Sequence, residues 1–329
     1  MDTDLNAERA APDAAGASLI ADGAPVCAQL AQFATLAVSG EDARAFLHAQ
    51  LSNDVEHLAD DAVRRAGYCS AKGRLLASFL VIPVAGGFLL QVSRDIAATV
   101  SKRLAMFVLR SKVKIADASD AWTQFGVWGR DAAALLQSAG LDAPIKPMHV
   151  VSRPGRVVVS LGTDRFLVLG PPDTAAALAA RFSRVSPDWW TLDEVRAGLP
   201  LISLNTQDQF VPQMANFELI GGIDFKKGCY PGQEIVARTQ YLGKLKRRMY
   251  RGEIDTPADK SWPPPGAGQD LFGSEPQAAG TVISAAPRPE GGFELLAVMQ
   301  SAVVEGGGPL RLGSPEGPLV RIVPLPYPV

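Results

Sequence analysis

The sequence predicts an α+β fold in which a duplicated α+β unit is followed by a small all-β barrel or sandwich. Two observations predict this class. The segments VSGEDARAFL (38–47) and GRLLAS (73–78) recur in order as VWGRDAAALL (127–136) and GRVVVS (155–160), which indicates an internal duplication. Towards the end of the chain, short apolar runs alternate with Pro- and Gly-dense segments such as WPPPGAGQ, a pattern typical of a small all-β domain.

The composition is that of an ordinary globular chain. Of its 329 residues, 47% are hydrophobic and 20% are charged, and the formal net charge is -2. This balance gives no global attraction to nucleic acid or to anionic membranes, so such a contact would need a local patch. No apolar run approaches the roughly 18 residues of a membrane helix, and we expect no membrane contact. Three cysteines without a CxxC pair favour a reducing, cytoplasmic location over a disulfide framework.

The predicted domain order follows the chain. The acidic, Ala-rich start is interpreted as a disordered tail over residues 1–28. Residues 29–242 are predicted to form the duplicated domain, with halves at about 29–118 and 119–242, and residues 243–329 the all-β domain.

Each half is predicted to contain a strand, a helix, a hairpin and a second helix. In the first half, an apolar strand at 33–38 precedes Ser39, which is the predicted N-cap of the helix GEDARAFLHAQL. The long strand RLLASFLVIPV turns at Gly86-Gly87 into FLLQV, and Ser93 is the predicted cap of the next helix. After the second half, Trp189-Trp190 precede a helix TLDEVRAG that is predicted to end at Gly198.

The stretch DFKKGCYPGQEIVAR (224–238) places Cys229 in an unusual setting. Pro231 suits the first position of a helix, so we expect Cys229 just before a helix N-terminus, where Lys226 and Lys227 also favour a thiolate. A buried, small apolar cysteine is the alternative, and local chemistry leaves both open. No histidine stands at ligand spacing from Cys229, so no self-contained metal site is predicted.

The segment from Arg238 to Arg251 is interpreted as the only dense basic cluster. Its side chains are predicted either to contact an anionic tail or nucleic-acid phosphates, such as those of tRNA, or to be solvated cations on a strand edge, which is the commoner arrangement. Its other basic residues are Lys244, Lys246, Arg247 and Arg248.

The same cysteine stretch resembles the signature K-G-C-Y-x-G-Q-E of the YgfZ-type folate-binding proteins, which are relatives of the glycine-cleavage aminomethyltransferase. The segments VSGEDARAFLHAQLSNDV, AGLP, LISLNTQDQFVPQ and YLGKLKRR match the same family in order, so the resemblance covers about residues 30 to 329. The signature residues are Lys227, Gly228, Cys229, Tyr230, Gly232, Gln233 and Glu234.

The resemblance implies a duplicated α/β folate-binding domain followed by a small C-terminal β-barrel. It implies tetrahydrofolate or a one-carbon derivative as the cofactor, with Cys229 as a functional thiol. The implied role is accessory to the assembly or repair of iron–sulfur enzymes, with iron–sulfur proteins or cluster-assembly factors as partners and an indirect effect on tRNA modification.

The family also implies residues for the folate cavity. Phe33 and Trp190 correspond to two aromatic residues that line it, although the first is usually tryptophan in bacteria. The pterin would be held through Glu194, Gln213 or Asn216, because Arg196 occupies the position of the glutamate that grips the pteridine in aminomethyltransferases.

The enzyme class is left open by one departure. Aminomethyltransferases carry a pair of aspartates on the long strand, where a carboxylate can assist proton transfer at the folate, and this chain has Leu76-Ala77 there. Turnover as an aminomethyltransferase is therefore not expected. A folate-dependent aminomethyltransferase-like enzyme and a noncatalytic tRNA- or protein-binding module remain as alternatives.

Overall fold

The computed structural model describes residues 13–243, 245–255 and 262–329. The segment predicted to be a disordered tail is ordered from residue 13, where helix α1 (Ala14–Ala21) and strand β1 (Val26–Gln29) form. The prediction of disorder is wrong for residues 13–28, because helix α1 forms there and Val26, Cys27 and Ala28 are buried in strand β1. Residues 1–12 of the predicted tail lie outside the described residues.

The first half of the duplicated unit forms a five-stranded antiparallel sheet in the order β3-β4-β5-β2-β6. Two helices each connect two of these strands along the chain. The elements are β2 (Phe33–Ser39), α2 (Ala43–Gln50), β3 (Arg64–Cys69), β4 (Leu75–Val84), β5 (Gly87–Ser93), α3 (Arg94–Ala105) and β6 (Lys114–Asp117).

The second half repeats this arrangement. Its sheet has the order β11-β1-β7-β10-β9-β8, so β7, β8, β9 and β10 take the places that β2, β3, β4 and β5 have in the first sheet. The N-terminal strand β1 pairs with β7 where β6 pairs with β2. The elements are β7 (Thr123–Trp128), α4 (Ala132–Ser138), β8 (His149–Arg153), β9 (Arg156–Gly162), β10 (Arg165–Gly170), α5 (Thr174–Ala179) and β11 (Ser183–Arg184).

Two equivalent glycines support the duplication at atomic detail. Gly40 follows β2 with φ 116° and Gly129 follows β7 with φ 108°. A Cβ at Gly40 would lie 2.0 Å from the Lys112 carbonyl oxygen, and one at Gly129 would lie 2.2 Å from the Ala24 carbonyl oxygen. Each half therefore needs glycine at this turn because a neighbouring backbone crosses it.

The predicted helix starts need correction. Ser39 does not cap α2, because it is still paired in β2 and the helix begins at Ala43. Ser93 does stand at the N-cap position of α3, but its hydroxyl bonds the Asp95 carboxylate (2.7 Å) rather than the helix backbone. Sequence patterns misplace such helix boundaries because the side chain of a turn residue can bond to a partner other than the helix backbone.

The connection after the second sheet contains helix α6 (Pro187–Arg196), a 3-10 helix (Pro212–Ala215) and helix α7 (Gln233–Leu242). Helix α6 begins earlier than predicted, with Ser186 as its N-cap, so it includes Trp189-Trp190. It ends as predicted, with Gly198 in the left-handed region (φ 66°).

The C-terminal part is a closed six-stranded barrel, as the resemblance implies. Its strand order is β12-β15-β14-β13-β16-β17, and β17 pairs back to β12. Within the described residues no helix is both long and apolar enough to cross a membrane. The elements are β12 (Arg247–Ile254), β13 (Asp270–Phe272), β14 (Ala278–Pro287), β15 (Phe293–Gln300), α8 (Ser301–Glu305), β16 (Leu310–Leu312) and β17 (Leu319–Val323).

Candidate functional site

A cavity lies between the two halves, where the inner faces of the two sheets share one hydrophobic cluster. Its volume is about 60 Å³. One end of its wall comes from β2 and β4, the other from the segment that follows α6. The lining residues are Phe33, Arg65, Ser78, Phe79, Leu80, Gln91, Leu161, Glu194, Leu199, Pro200, Leu201, Phe217 and Ile220.

Two charged side chains, Arg65 and Glu194, line this cavity. Arg165 does not line it, but its guanidinium lies 3.7 Å from Glu194. Burial raises the pKa of Glu194 above its ordinary value, although both arginines oppose this. Burial, together with repulsion from Arg165, lowers the pKa of Arg65 to about 10. Burial also raises the pKa of Asp193, which interacts with Arg165 and Glu194, so two arginines and two carboxyl groups lie together in a desolvated place, where unmatched charge is costly.

The two predicted aromatic residues take different places. Phe33 lines the cavity. Trp190 lies behind the wall, with only 1% of its surface exposed. One ring face carries the Arg165 guanidinium at 4.0 Å, and Trp128 meets the ring edge-on at 5.5 Å. The expectation that Trp190 stacks directly on a ligand therefore needs correction, because Arg165 already covers that face.

Gln213 and Asn216 are not brought to the cavity. Both are fully buried, and their side-chain amides donate to the backbone carbonyls of Val236 (2.7 Å) and Met249 (2.9 Å). These two hydrogen bonds connect the segment around the 3-10 helix to α7 and to the barrel. Of the three polar residues proposed for pterin binding, the structure places Glu194 alone on the cavity wall.

A second, outer groove of about 530 Å³ adjoins the cavity, because Arg65 and Ile220 line both. Its wall carries three cations, Arg64, Arg65 and Lys226, and one carboxylate, Asp224. Residues 224–226, which directly precede the signature, line this groove. Arg64 and Arg65 were not identified from the sequence, because they lie in a strand far from the signature.

The residues at the positions where aminomethyltransferases are expected to carry carboxylates are not suited to proton transfer at a folate. Leu76 and Ala77 are buried in the apolar core of the first half. Arg196 does not face the cavity but pairs with Glu294 of the barrel at 2.7 Å. The long strand therefore offers no carboxylate at the two positions where the family enzymes have one.

The signature loop is anchored to helix α2. The Lys227 ammonium donates to the carbonyls of His48 and Leu51, and it lies 4.8 Å from the centre of the Tyr230 ring. Tyr230 is buried, whereas Cys229 between them is exposed. The alternative of a buried structural cysteine is therefore wrong. Burial lowers the pKa of Lys227 to about 8.

The helix after Cys229 begins later than predicted. Pro231 precedes the helix, Gly232 stands at the N-cap position with φ 78°, and α7 starts at Gln233. A Cβ at Gly232 would lie 2.4 Å from the Ser70 carbonyl oxygen and 2.6 Å from Gly73 Cα. Glycine at this position of the signature thus allows the turn at Gly232 to contact the turn at residues 70–73. Glu234 faces solvent.

One histidine approaches the signature loop, which the sequence spacing did not indicate. His48 Nδ1 lies 3.1 Å from the Asp54 carboxylate, and its Nε2 lies 3.4 Å from where a Gly228 Cβ would be. In the described part of the chain, no group of three or more His, Cys, Asp or Glu side chains could hold a metal ion.

The basic run from Arg238 to Arg251 is partly used inside the protein. Arg248 pairs with Glu218 and also donates to Asn216 Oδ1. Arg251 donates to the Arg196 carbonyl and lies 3.8 Å from Glu294. Lys244 lies outside the described residues.

Comparisons with known proteins agree with this architecture. The family model of the GCVT N-terminal domain matches residues 26–150. The glycine cleavage system aminomethyltransferase T from Bartonella henselae has the same fold, with a TM-score of 0.74 and 19% identity over 91% of this chain and 84% of that one.

Curated relatives match nearly the whole chain. The "tRNA-modifying protein YgfZ" of Klebsiella pneumoniae (strain 342) is 33% identical over 310 residues, 91% of each chain. The protein of that name from Pectobacterium carotovorum subsp. carotovorum (strain PC1) is 32% identical over 314 residues, 92% of each chain. This chain therefore belongs to the YgfZ family.

Proposed function

We propose that this protein binds tetrahydrofolate, or a one-carbon derivative of it, and acts as an accessory factor in the assembly or repair of iron–sulfur enzymes that modify tRNA. The relatives' name supports the link to tRNA modification, and the aminomethyltransferase fold supports a folate. The observation that carries the proposal is the charged cavity between the two halves.

The cavity residues and the adjacent Arg165 fit a polar heterocycle. Two nitrogen atoms of Arg165, Nε and Nη2, are buried beside Glu194 and make no hydrogen bond to any described residue. Such atoms need an acceptor, and the 4-oxo and ring nitrogen atoms of a pterin are acceptors. Glu194 would accept from the pterin amino group, and Phe33 offers an aromatic face. When bound, a tetrahydrofolate supplies a carrier for one-carbon units.

Entry of a ligand requires side chains to move. A cavity of about 60 Å³ is smaller than a bicyclic pteridine ring, whereas the outer groove holds about 530 Å³. Arg65 and Ile220 form the boundary between the two spaces. Because a long arginine side chain reorients more easily than a sheet, Arg65 is the group that would open the inner space.

The outer groove would receive the glutamate end of the folate. Arg64, Arg65 and Lys226 place three cations there against the single carboxylate of Asp224. Carboxylates bind well beside arginine guanidinium groups. The order cavity, groove and signature loop would put the folate tail near the loop that carries Cys229.

The signature loop would present the thiol. Lys227 and Tyr230 hold the loop on both sides of Cys229, which leaves this cysteine exposed on a fixed backbone. An exposed thiol on a rigid loop can meet a partner protein, whereas a thiol inside the cavity could not. Cys229 would therefore act toward an iron–sulfur protein or its assembly factor.

A complementation assay tests the proposal. In cells that lack the family protein, the wild-type chain should restore an iron–sulfur-dependent tRNA modification, and Cys229→Ser should not. Cys229→Ser should retain the wild-type melting temperature because the side chain is exposed. Full restoration by Cys229→Ser would remove the thiol from the proposed function.

The aminomethyltransferase alternative has less support. The buried Leu76-Ala77 pair offers no carboxylate where those enzymes have one, and no other observation replaces it. Formation of methylenetetrahydrofolate from an aminomethyl-lipoyl donor by the purified protein would reverse this preference.

A further inference from the structure

A second basic segment lies on the first half, at residues 102–114. It contains five basic residues, no acidic one, and the apolar sequence AMFVL in its middle. The expectation that Arg238 to Arg251 is the only dense basic cluster is therefore wrong. This segment was not recognised as a basic cluster in the sequence, because the periodic pattern of helix α3 made its cations resemble the polar face of an amphipathic helix.

The segment presents many exposed side chains and is here named the 102–114 surface. Helix α3 ends at Ala105, and the chain continues through successive tight turns into β6. Leu109 adopts φ 46° and is 87% exposed, while Met106 and Phe107 are 60% and 42% exposed. An exposed leucine in the left-handed region is uncommon and costs free energy. The turns thus hold large apolar groups in solvent.

The cations around these apolar groups are mostly free of ion pairs. Lys112 pairs with Glu41 at 2.6 Å. Lys102, Arg110 and Lys114 are exposed and form no ion pair with a described residue. Three unpaired cations beside an exposed aromatic ring give a surface that is complementary to a polyanion with stacking groups.

The segment from Arg238 to Arg251 is less suited to this role. Arg248 and Arg251 are bound to buried carboxylates or carbonyls. Among its described cations, Arg238, Lys246 and Arg247 remain without an ion pair, and the strand that carries Arg247 is paired on the barrel. This segment carries one large exposed side chain, Tyr241 (71% exposed), whereas the 102–114 surface carries three, Met106, Phe107 and Leu109.

We propose that the 102–114 surface binds RNA directly, through phosphate contacts of Lys102, Arg110 and Lys114 and a stacking contact of Phe107 with an unpaired base. This goes beyond the proposed function, which needs only folate and a thiol. The net charge of -2 gives the whole molecule no general attraction to RNA, so binding requires a local basic patch such as this one.

The test is the binding of unmodified tRNA, transcribed in vitro, to the full chain at several salt concentrations. The variant Lys102→Gln/Arg110→Gln/Lys114→Gln should bind more weakly, and the slope of log K against log salt should fall by about 2. The matched variant Arg238→Gln/Lys246→Gln/Arg247→Gln loses the same charge and should change the slope much less. Phe107→Ala should lower the affinity about fivefold or more at an unchanged slope.

Four outcomes would overturn the proposal. They are no tRNA binding by the wild type, equal losses in the two triple variants, a larger loss in the matched variant, and unchanged binding in the first triple variant. If that variant bound tRNA normally but failed in the complementation assay, the surface would serve a protein partner instead. A tetrahydrofolate titration of the same variants keeps this test separate from the folate site, since none of these residues lines the cavity.

Discussion

Cys229 differs from the other cysteines of the chain in its exposure. Cys27 and Cys69 are buried, and burial raises the pKa of Cys69 to about 12, whereas Cys229 is exposed. Thiol reactivity needs both access and thiolate. The native protein should therefore react with iodoacetamide at one thiol, the Cys229→Ser variant at none, and the unfolded wild type at three. Mass spectrometry counts the adducts, and rapid labelling of Cys27 or Cys69 in the native protein would contradict the structure.

Lys227 gives the signature loop a pH dependence. Its pKa of about 8 in the folded state lies below its ordinary 10.5 because of burial. Between these values the unfolded chain binds a proton that the folded chain has released, so raising the pH across this window stabilises the folded state. The free energy of unfolding of the wild type should therefore rise relative to Lys227→Met between pH 8 and 10.5.

Urea unfolding at several pH values measures this difference. Lys226→Met is the matched control, since its neighbour Lys226 is exposed, and it should leave the pH profile of the wild type unchanged. A difference between wild type and Lys227→Met that stays constant or falls with pH would show that Lys227 is not desolvated.

The sequence predicted part of the site at this scale. Phe33 and Glu194 lie on the cavity wall and Cys229 lies on the surface, while their roles in binding and catalysis stay predictions. Trp190, Gln213 and Asn216 do not line the cavity. Arg165, which covers the Trp190 ring, lies in a strand distant in sequence, and only the fold brings it there.

At the scale of elements, the contact between two turns explains a signature glycine. Gly232 has φ 78°, and a Cβ there would clash with the Ser70 carbonyl oxygen. Gly232→Ala should therefore lower the free energy of unfolding by about 2–4 kcal/mol, through backbone strain and overpacking. Gly155 has φ 74° with no atom within 4 Å of its Cβ position, so Gly155→Ala should cost about 1 kcal/mol.

Denaturant unfolding of Gly232→Ala and Gly155→Ala separates the free-energy cost of backbone strain from the cost of the steric contact. Equal losses would mean that the two turns do not touch. The matched pair is informative because the two glycines have nearly the same φ.

Most strands and helices could be predicted, because each half repeats the same apolar pattern and each repeat supports the other. The starts of α2 and α7 could not. Gly40 and Gly232 place their turns against distant backbone, at Lys112 and at Ser70, and this contact moves the first helical residue. Local propensity carries no information about such a neighbour.

At the scale of the whole molecule, a buried ion pair joins α6 to the barrel. Glu294 on β15 is 2% exposed and bonds Arg196 at 2.7 Å, with Arg251 at 3.8 Å. Arg196→Ala should lower the free energy of unfolding by about 2–3 kcal/mol, because it leaves a buried carboxylate with one distant partner.

The control is an exposed pair. Arg153 bonds Asp142 at 2.9 Å with both side chains largely in solvent, so Arg153→Ala should cost less than about 1 kcal/mol. Similar losses for Arg196→Ala and Arg153→Ala would indicate that the pair does not stabilise the packing of the barrel on α6.

The order of the parts was predictable, but their connection was not. Composition separated the barrel from the duplicated unit. The insertion of β1 into the second sheet could not be predicted from the sequence. This short strand at residues 26–29 follows an Ala-rich segment and pairs with a strand about 100 residues later in the chain. Only the tertiary fold determines such a pairing. The domain boundaries near residues 118 and 242 stay predictions.

The central claim is that the cavity binds folate independently of the exposed thiol. Isothermal titration of tetrahydrofolate into wild type, Glu194→Ala and Cys229→Ser tests it most directly. We expect saturable binding to the wild type, affinity about tenfold or more lower for Glu194→Ala because a charged hydrogen-bond partner is lost, and wild-type affinity for Cys229→Ser. Absence of binding to the wild type, or equal affinity for Glu194→Ala, would contradict the account.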